Sequence, residues 1–238
     1  MYQNTKHYIT ENVLFYKKRL YFLTEDEKYI CINTRNFFKY LIQYGWVKLN
    51  IEWRKKLDSA NYCVLECGSD GDCLFHVISE ALNLDLIFKN DIPKYSILDI
   101  RKIASNEIND DNFEIILESY KAELEYGEFI GDWNPNEINS KDDLKKEVEK
   151  KGDSFWGDHI LLQLISKALG INFIIFDNNK NNIYSLFDNL KYEKTVYLYY
   201  YDNYHFQLIG HFNGKVINTV FDKKDIPEII LNLYYKKS

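Results

Sequence analysis

The chain has 238 residues, 46% of them hydrophobic, enough for one substantial core, and its 30 basic against 36 acidic side chains leave a net charge of −6. That balance, with no extended basic block, disfavours nucleic-acid binding and suits a basic protein partner. Residues 1–6 lead into no apolar signal segment, no run of about 18 apolar residues occurs, and four cysteines without metal-ligand pairing read as reduced thiols, so a monomeric, cytoplasmic protein with no membrane span, metal or cofactor is expected.

In chain order, Leu20-Tyr21-Phe22-Leu23 and Tyr29-Ile30-Cys31-Ile32 predict a hairpin around the acidic 24–28 segment. Thr34 is placed to cap a helix with Phe37, Phe38, Leu41 and Ile42 on one face, closed by Gly45. Trp46 to Leu57 continues as a second helix, or as a strand leading into one. Residues 1–60 are expected to form an N-terminal accessory subdomain packed on the main domain.

Tyr62-Cys63-Val64-Leu65 has strand character, and beyond it Leu74, Val77, Ile78, Ala81 and Leu82 recur at helical spacing. Cys73 therefore sits at a loop-to-helix junction. Unpaired N–H groups and the positive end of the helix dipole favour an anion there, and a lowered pKa and a nucleophilic thiolate are expected. Gly68 and Gly71 let the preceding loop turn tightly, with N–H groups that suit the oxyanion of an acyl intermediate.

Helices are predicted over 97–109, 112–126 and 141–151, the last beginning after Ser140 and exposing a charged face. Phe155-Trp156-Gly157-Asp158 precedes a helix ending at Gly170, then the strand 171–176 and a turn into a second strand, 183–186. Strands 196–201 and 205–209 flank Asp202-Asn203-Tyr204 as a hairpin, and alternation puts His205, Gln207 and Ile209 on one face. Asn213-Gly214 marks another hairpin, and a final helix falls around 226–235. His76, one turn past Cys73, is read as packing or as a hydrogen bond to the loop.

Three blocks stand in order: Asp70-Gly71-Asp72-Cys73-Leu74-Phe75 before a helix, Trp156-Gly157-Asp158 opening a helix that leads to Ile-Asn-Phe-Ile-Ile-Phe, and Asn203-Tyr204-His205-Phe206. Together they resemble the ovarian tumour (OTU) family of papain-like cysteine proteases, which remove ubiquitin or its relatives from proteins. The resemblance covers residues 60–212. It implies an α/β (α+β) fold, a small central β-sheet sandwiched between helices, with a catalytic domain over 61–212 and a C-terminal strand and helix, 213–238, packed on it.

It also implies a thiol-dependent deubiquitinase. Cys73 would be the nucleophile, His205 the base, Asp70 part of the active site, and Asp70, Gly71 and Asp72 the oxyanion loop, with Trp156 lining the substrate channel. No metal or cofactor is required. The implied partners are ubiquitin or polyubiquitin chains, or a ubiquitin-like modifier, and the place of action is the cytoplasm, a host's cytosol for a viral or intracellular bacterial source. The family usually has Asp or Asn two residues after its histidine. Gln207 stands there instead, so the group orienting His205 is open between Gln207 and Asn203, with Asp202 a further rival. Two alternatives to a deubiquitinase are a catalytically weak ubiquitin-binding module and a papain-like enzyme acting on a ubiquitin-like modifier.

Overall fold

A computed structural model describes residues 6–68, 70–186, 190–202 and 204–235. The chain opens with β1 (His7–Tyr8), β2 (Val13–Tyr16), β3 (Arg19–Leu23) and β4 (Tyr29–Cys31), an antiparallel sheet in that order. The β3–β4 hairpin matches its expected place. The β2–β3 hairpin was not expected, because Lys17 and Lys18 make its turn: both adopt positive φ, a conformation usually advertised by Asn or Gly. Thr34 does not cap the next helix, α1 (Phe37–Leu41). Asn36 occupies that position without a side-chain cap bond, and Gly45 ends the following 3₁₀ turn at φ +83°.

β5 (Trp46–Lys48) leads into α2 (Ile51–Lys56), whose Asn50 side chain caps Trp53 N–H at 2.9 Å. Then come β6 (Tyr62–Leu65), α3 (Cys73–Phe88), α4 (Ile97–Asn106), α5 (Phe113–Tyr126), α6 (Lys141–Glu149) and α7 (His159–Leu169). β7 (Ile171–Asp177), β8 (Asn182–Ser185), β9 (Lys194–Tyr201), β10 (His205–Phe212), β11 (Ile217–Asn218), β12 (Val220–Asp222) and α8 (Glu228–Tyr235) complete the chain.

The main sheet runs β5-β6-β10-β9-β7-β8, with β11 added to β10 and β12 to β9. β7 pairs with β9 in parallel, after the α7 helix; its fully buried, near-continuous apolar run is what a strand covered on both faces requires. Alternation divides the core between the two faces. Cys63, Leu65, Phe206 and Leu208 pack with α3, α4, α6 and α7, while Val64, Tyr197 and Ile209 pack with Trp53 of α2 and Ile230 of α8. The result is the expected α/β sandwich, although its sheet has eight strands. No helix among the described residues is long and apolar enough to cross a membrane.

The main sheet also recruits residues on the N-terminal side of position 60. Trp46–Lys48 pairs with β6, and Trp53 meets Phe176 edge-on at 5.3 Å. Phe15 against Phe88 and Phe37 stacked on Phe212 tie the remaining N-terminal segment to the same core.

Candidate active site

β6 ends at Leu65 under β10, and the chain then turns through Glu66, Cys67 and Gly68 toward the start of α3. A fully buried arginine fixes that turn. Arg101, from α4, donates from Nε to Asp72 Oδ1 at 2.7 Å and from its Nη atoms to the carbonyls of Val148, Phe155 and Gly71. Its guanidinium lies over the Phe75 ring at 3.9 Å. The second oxygen of Asp72 accepts from Gly152 N–H at 2.9 Å, so this carboxylate joins α3, α4 and the loop before α7. Gly71 and Gly157 are small by necessity. A Cβ at Gly71 would lie 2.3 Å from the Gly152 carbonyl, and one at Gly157 2.5 Å from Cβ of Leu74.

Cys73 is the first residue of α3, and its side chain is fully buried. The expected lowering of its pKa is not found. Burial pushes the thiol up, the carboxylates of Asp70 and Glu66 push the same way, and hydrogen bonds from the Phe206 and Leu74 backbones only partly offset this. The helix terminus contributes, but desolvation outweighs it. Cys73 shares its buried cluster with Phe206, the residue that comes after His205 in β10. Among the described residues neither nitrogen of His205 is hydrogen-bonded to Cys73.

The N–H groups expected to form an oxyanion loop are already engaged. Gly71 N–H donates to Asp153 Oδ1 at 3.1 Å, and Asp72 N–H to Asp70 Oδ1 at 3.1 Å. Cys73 N–H makes only a 3.2 Å bond to the Asp70 carbonyl. Asp70 itself is exposed and organises this turn through both its side chain and its backbone.

His205 opens β10 and is 5% exposed, its ring edge-on to Tyr201 at 4.9 Å. Its partner is a residue that sequence reasoning missed. Glu66 Oε1 lies 2.7 Å from His205 Nε2, and the other Glu66 oxygen accepts from Gln207 Nε2. Gln207 therefore does not accept from the imidazole, as expected of an orienter, but donates to the carboxylate that touches it. Asn203, the other expected orienter, lies outside the described residues. No local motif announces Glu66. Leu65 is paired with Leu208, so the next residue of β6's chain falls opposite Gln207, and only that register brings it to the histidine. His76 bonds the loop as expected, Nδ1 to the Cys67 carbonyl at 3.0 Å.

Beside Phe206 a cavity of about 170 Å³ is lined by Trp156, Tyr200, Tyr204, His159 and Ile130 and by Glu123, Glu128 and Asp158. Trp156 meets Tyr204 edge-on at 5.7 Å. Asp158 caps α7 through Leu161 N–H at 2.8 Å, and burial pushes it up to about 6. Burial, and then the neighbouring charges of Asp158 and Glu128, push Glu123 up to about 7. Among the described residues no cluster of His, Cys, Asp and Glu is arranged to hold a metal ion.

The family model for OTU-like cysteine proteases matches residues 68–212, more than half of the chain. A protein of Tipula iridescent virus described as "Putative ubiquitin thioesterase L96" is 27% identical over 169 residues, which is 71% of this chain and 18% of the relative. The chain thus spans about a fifth of that relative's length. Among solved structures, an OTU domain in complex with ubiquitin aligns at 22% identity with a TM-score of 0.47, covering 72% of this chain and 84% of the other. An OTU deubiquitinase from Wolbachia pipientis wMel bound to ubiquitin aligns at 12% identity and a TM-score of 0.43, over 65% of this chain and 99% of that one. With its 68–212 match spanning the Cys73 loop, the Trp156-led helix and the His205 strand, the chain belongs to the family of OTU-like cysteine proteases.

Proposed function

We propose that this chain is a deubiquitinase, hydrolysing peptide or isopeptide bonds at the C-terminus of ubiquitin with Cys73 as nucleophile and His205 as general base and acid. The observation that carries the reading is the packing of the helix-start Cys73 in one buried cluster with Phe206, the residue that follows a buried histidine with one ring nitrogen already committed to a carboxylate. With Nε2–H donating to Glu66, Nδ1 is the nitrogen left to take the thiol proton. The thiolate attacks the carbonyl of ubiquitin's last glycine, and the imidazolium returns the proton to the departing lysine amine. Water, deprotonated by the same histidine, then cleaves the thioester and regenerates the thiol.

In the resting chain the thiol is buried, its pKa is raised, and the loop N–H groups are internally paired, so substrate has to open the turn at Asp70. Of the three N–H groups, that of Cys73 has the weakest internal partner and is the first available to an oxyanion. The acidic, aromatic cavity beside Phe206 suits the extended, arginine-bearing tail of ubiquitin, and Trp156 is assigned to the channel that receives it. The proposed place of action is a reducing compartment, the cytoplasm or a host's cytosol, a reading that four free thiols support.

Release of a fluorophore from a ubiquitin C-terminal amide tests this reading. Turnover by the natural sequence and loss of it in Cys73→Ala and His205→Ala support it. Ubiquitin binding without turnover in the natural sequence would instead support a binding module, and neither binding nor turnover would point to a different ubiquitin-like modifier.

A further inference from the structure

We propose that Glu66 is the positioning carboxylate of the His205 imidazole, and that Gln207 acts on the histidine only through Glu66. The inference rests on Cys73 and His205 being the working pair. It moves the orienting acid from the histidine strand, where the family resemblance puts it, to the end of the strand that precedes the nucleophile loop.

Three observations carry it. First, Glu66 Oε1 lies 2.7 Å from Nε2, the distance of a charge-assisted hydrogen bond. Second, the carboxylate is not free to turn away, because its other oxygen is held by the Gln207 amide. Third, the register is fixed by the Leu65–Leu208 and Val64–Ile209 pairs, whose apolar side chains go to opposite faces of the sheet, so a slip would invert every one of them.

A carboxylate on Nε2 selects the tautomer with the proton there and leaves Nδ1 as the acceptor for the Cys73 proton. Once that proton has moved, the same carboxylate faces an imidazolium and stabilises it. Glutamine at position 207 could not do this alone. Its amide is neutral, and its donor end is used on Glu66. The pair thus amounts to the family's histidine-strand acid divided in two: the charge comes from Glu66 and its fixation from Gln207. Because the Glu66 side chain is 47% exposed, its field is partly screened by water.

Steady-state kinetics on a fluorogenic ubiquitin amide, together with ¹⁵N NMR of the His205 ring, test the assignment. Glu66→Ala is expected to lower kcat by roughly 10- to 100-fold with KM within about twofold, less than the roughly 10⁴-fold tied to a buried orienting carboxylate in serine proteases. Glu66→Gln, which keeps an acceptor oxygen but no charge, should fall between Glu66→Ala and the natural sequence. In the double variant Glu66→Ala/Gln207→Asp, a carboxylate back on the histidine strand should recover about tenfold of the lost kcat. A merely structural Glu66 would give no such rescue.

The neutral His205 ring should show a single Nε2–H tautomer in the natural sequence and a mixture in Glu66→Ala. An unchanged tautomer, or a Glu66→Ala kcat within about twofold of the natural sequence, would overturn the assignment. If the natural sequence fails to turn over ubiquitin at all, the deubiquitinase reading falls, while the tautomer measurement still decides the role of Glu66.

Discussion

Cys73, His205 and Glu66 come from three separate stretches, and their chemistry is set by how deeply each is buried. The thiol and imidazole are withdrawn from water while the carboxylate is half in it. A Gln207→Ala change removes only the clamp on Glu66, so it should reduce kcat less than His205→Ala; equal losses measured side by side would contradict that ranking. Glu123 supplies a pH signature. Its folded pKa of about 7 stands above the ordinary 4.5, so the folded chain keeps a proton that the unfolded chain gives up. Its contribution to stability is complete below about 4.5 and is lost as pH rises through about 7. Glu123→Gln should therefore narrow the drop in Tm between about pH 4 and about pH 8, and an unchanged drop would contradict the shift. Cys73 and His205, the proposed nucleophile and base, stood out in the sequence because each lies in a contiguous motif with a recognisable neighbourhood. Glu66 did not, since its partner is 139 residues away and is reached only through strand register.

At the scale of elements, the start of α3 is held by a buried ion pair and by two contacts only glycine permits. Removing one partner of such a pair strands a charge, so Arg101→Ala should cost about 3–5 kcal/mol in denaturant unfolding. A loss under about 1 kcal/mol would mean that the Asp72 carboxylate is satisfied without it. Gly157→Ala drives a methyl group into Leu74 and should cost about 1–3 kcal/mol while shifting α3. Helices α3 to α7 were readable from apolar spacing, and Ser140 caps α6 as expected, whereas the capping box that Ser96 and Asp99 make at the start of α4 was not anticipated. The β2–β3 turn was hidden by two lysines at positive φ. Arg101 was visible only as a helix residue, because burial of a guanidinium among carbonyls from three other segments leaves no local signature.

Across the whole molecule, the N-terminal residues serve the catalytic sheet as well as their own. We propose that the accessory unit ends before β5 rather than at residue 60. Deleting residues 1–60 strips β6 of its edge partner and removes Trp53 from the second core, so that variant should fail to give a cooperative thermal transition. A Tm within a few degrees of the full chain would show the segment to be separable.

The claim on which the functional reading turns is that Cys73, among four thiols, is the one that attacks a ubiquitin C-terminus. Cys63 and Cys67 are the natural controls, both buried, with Sγ bonded to the carbonyls of Gly210 and Leu65. Peptide mapping by mass spectrometry after incubation with ubiquitin carrying a C-terminal electrophile decides it. One ubiquitin per chain, on the peptide containing Cys73, is the expected result; an adduct on Cys31, Cys63 or Cys67, or no adduct, would contradict it.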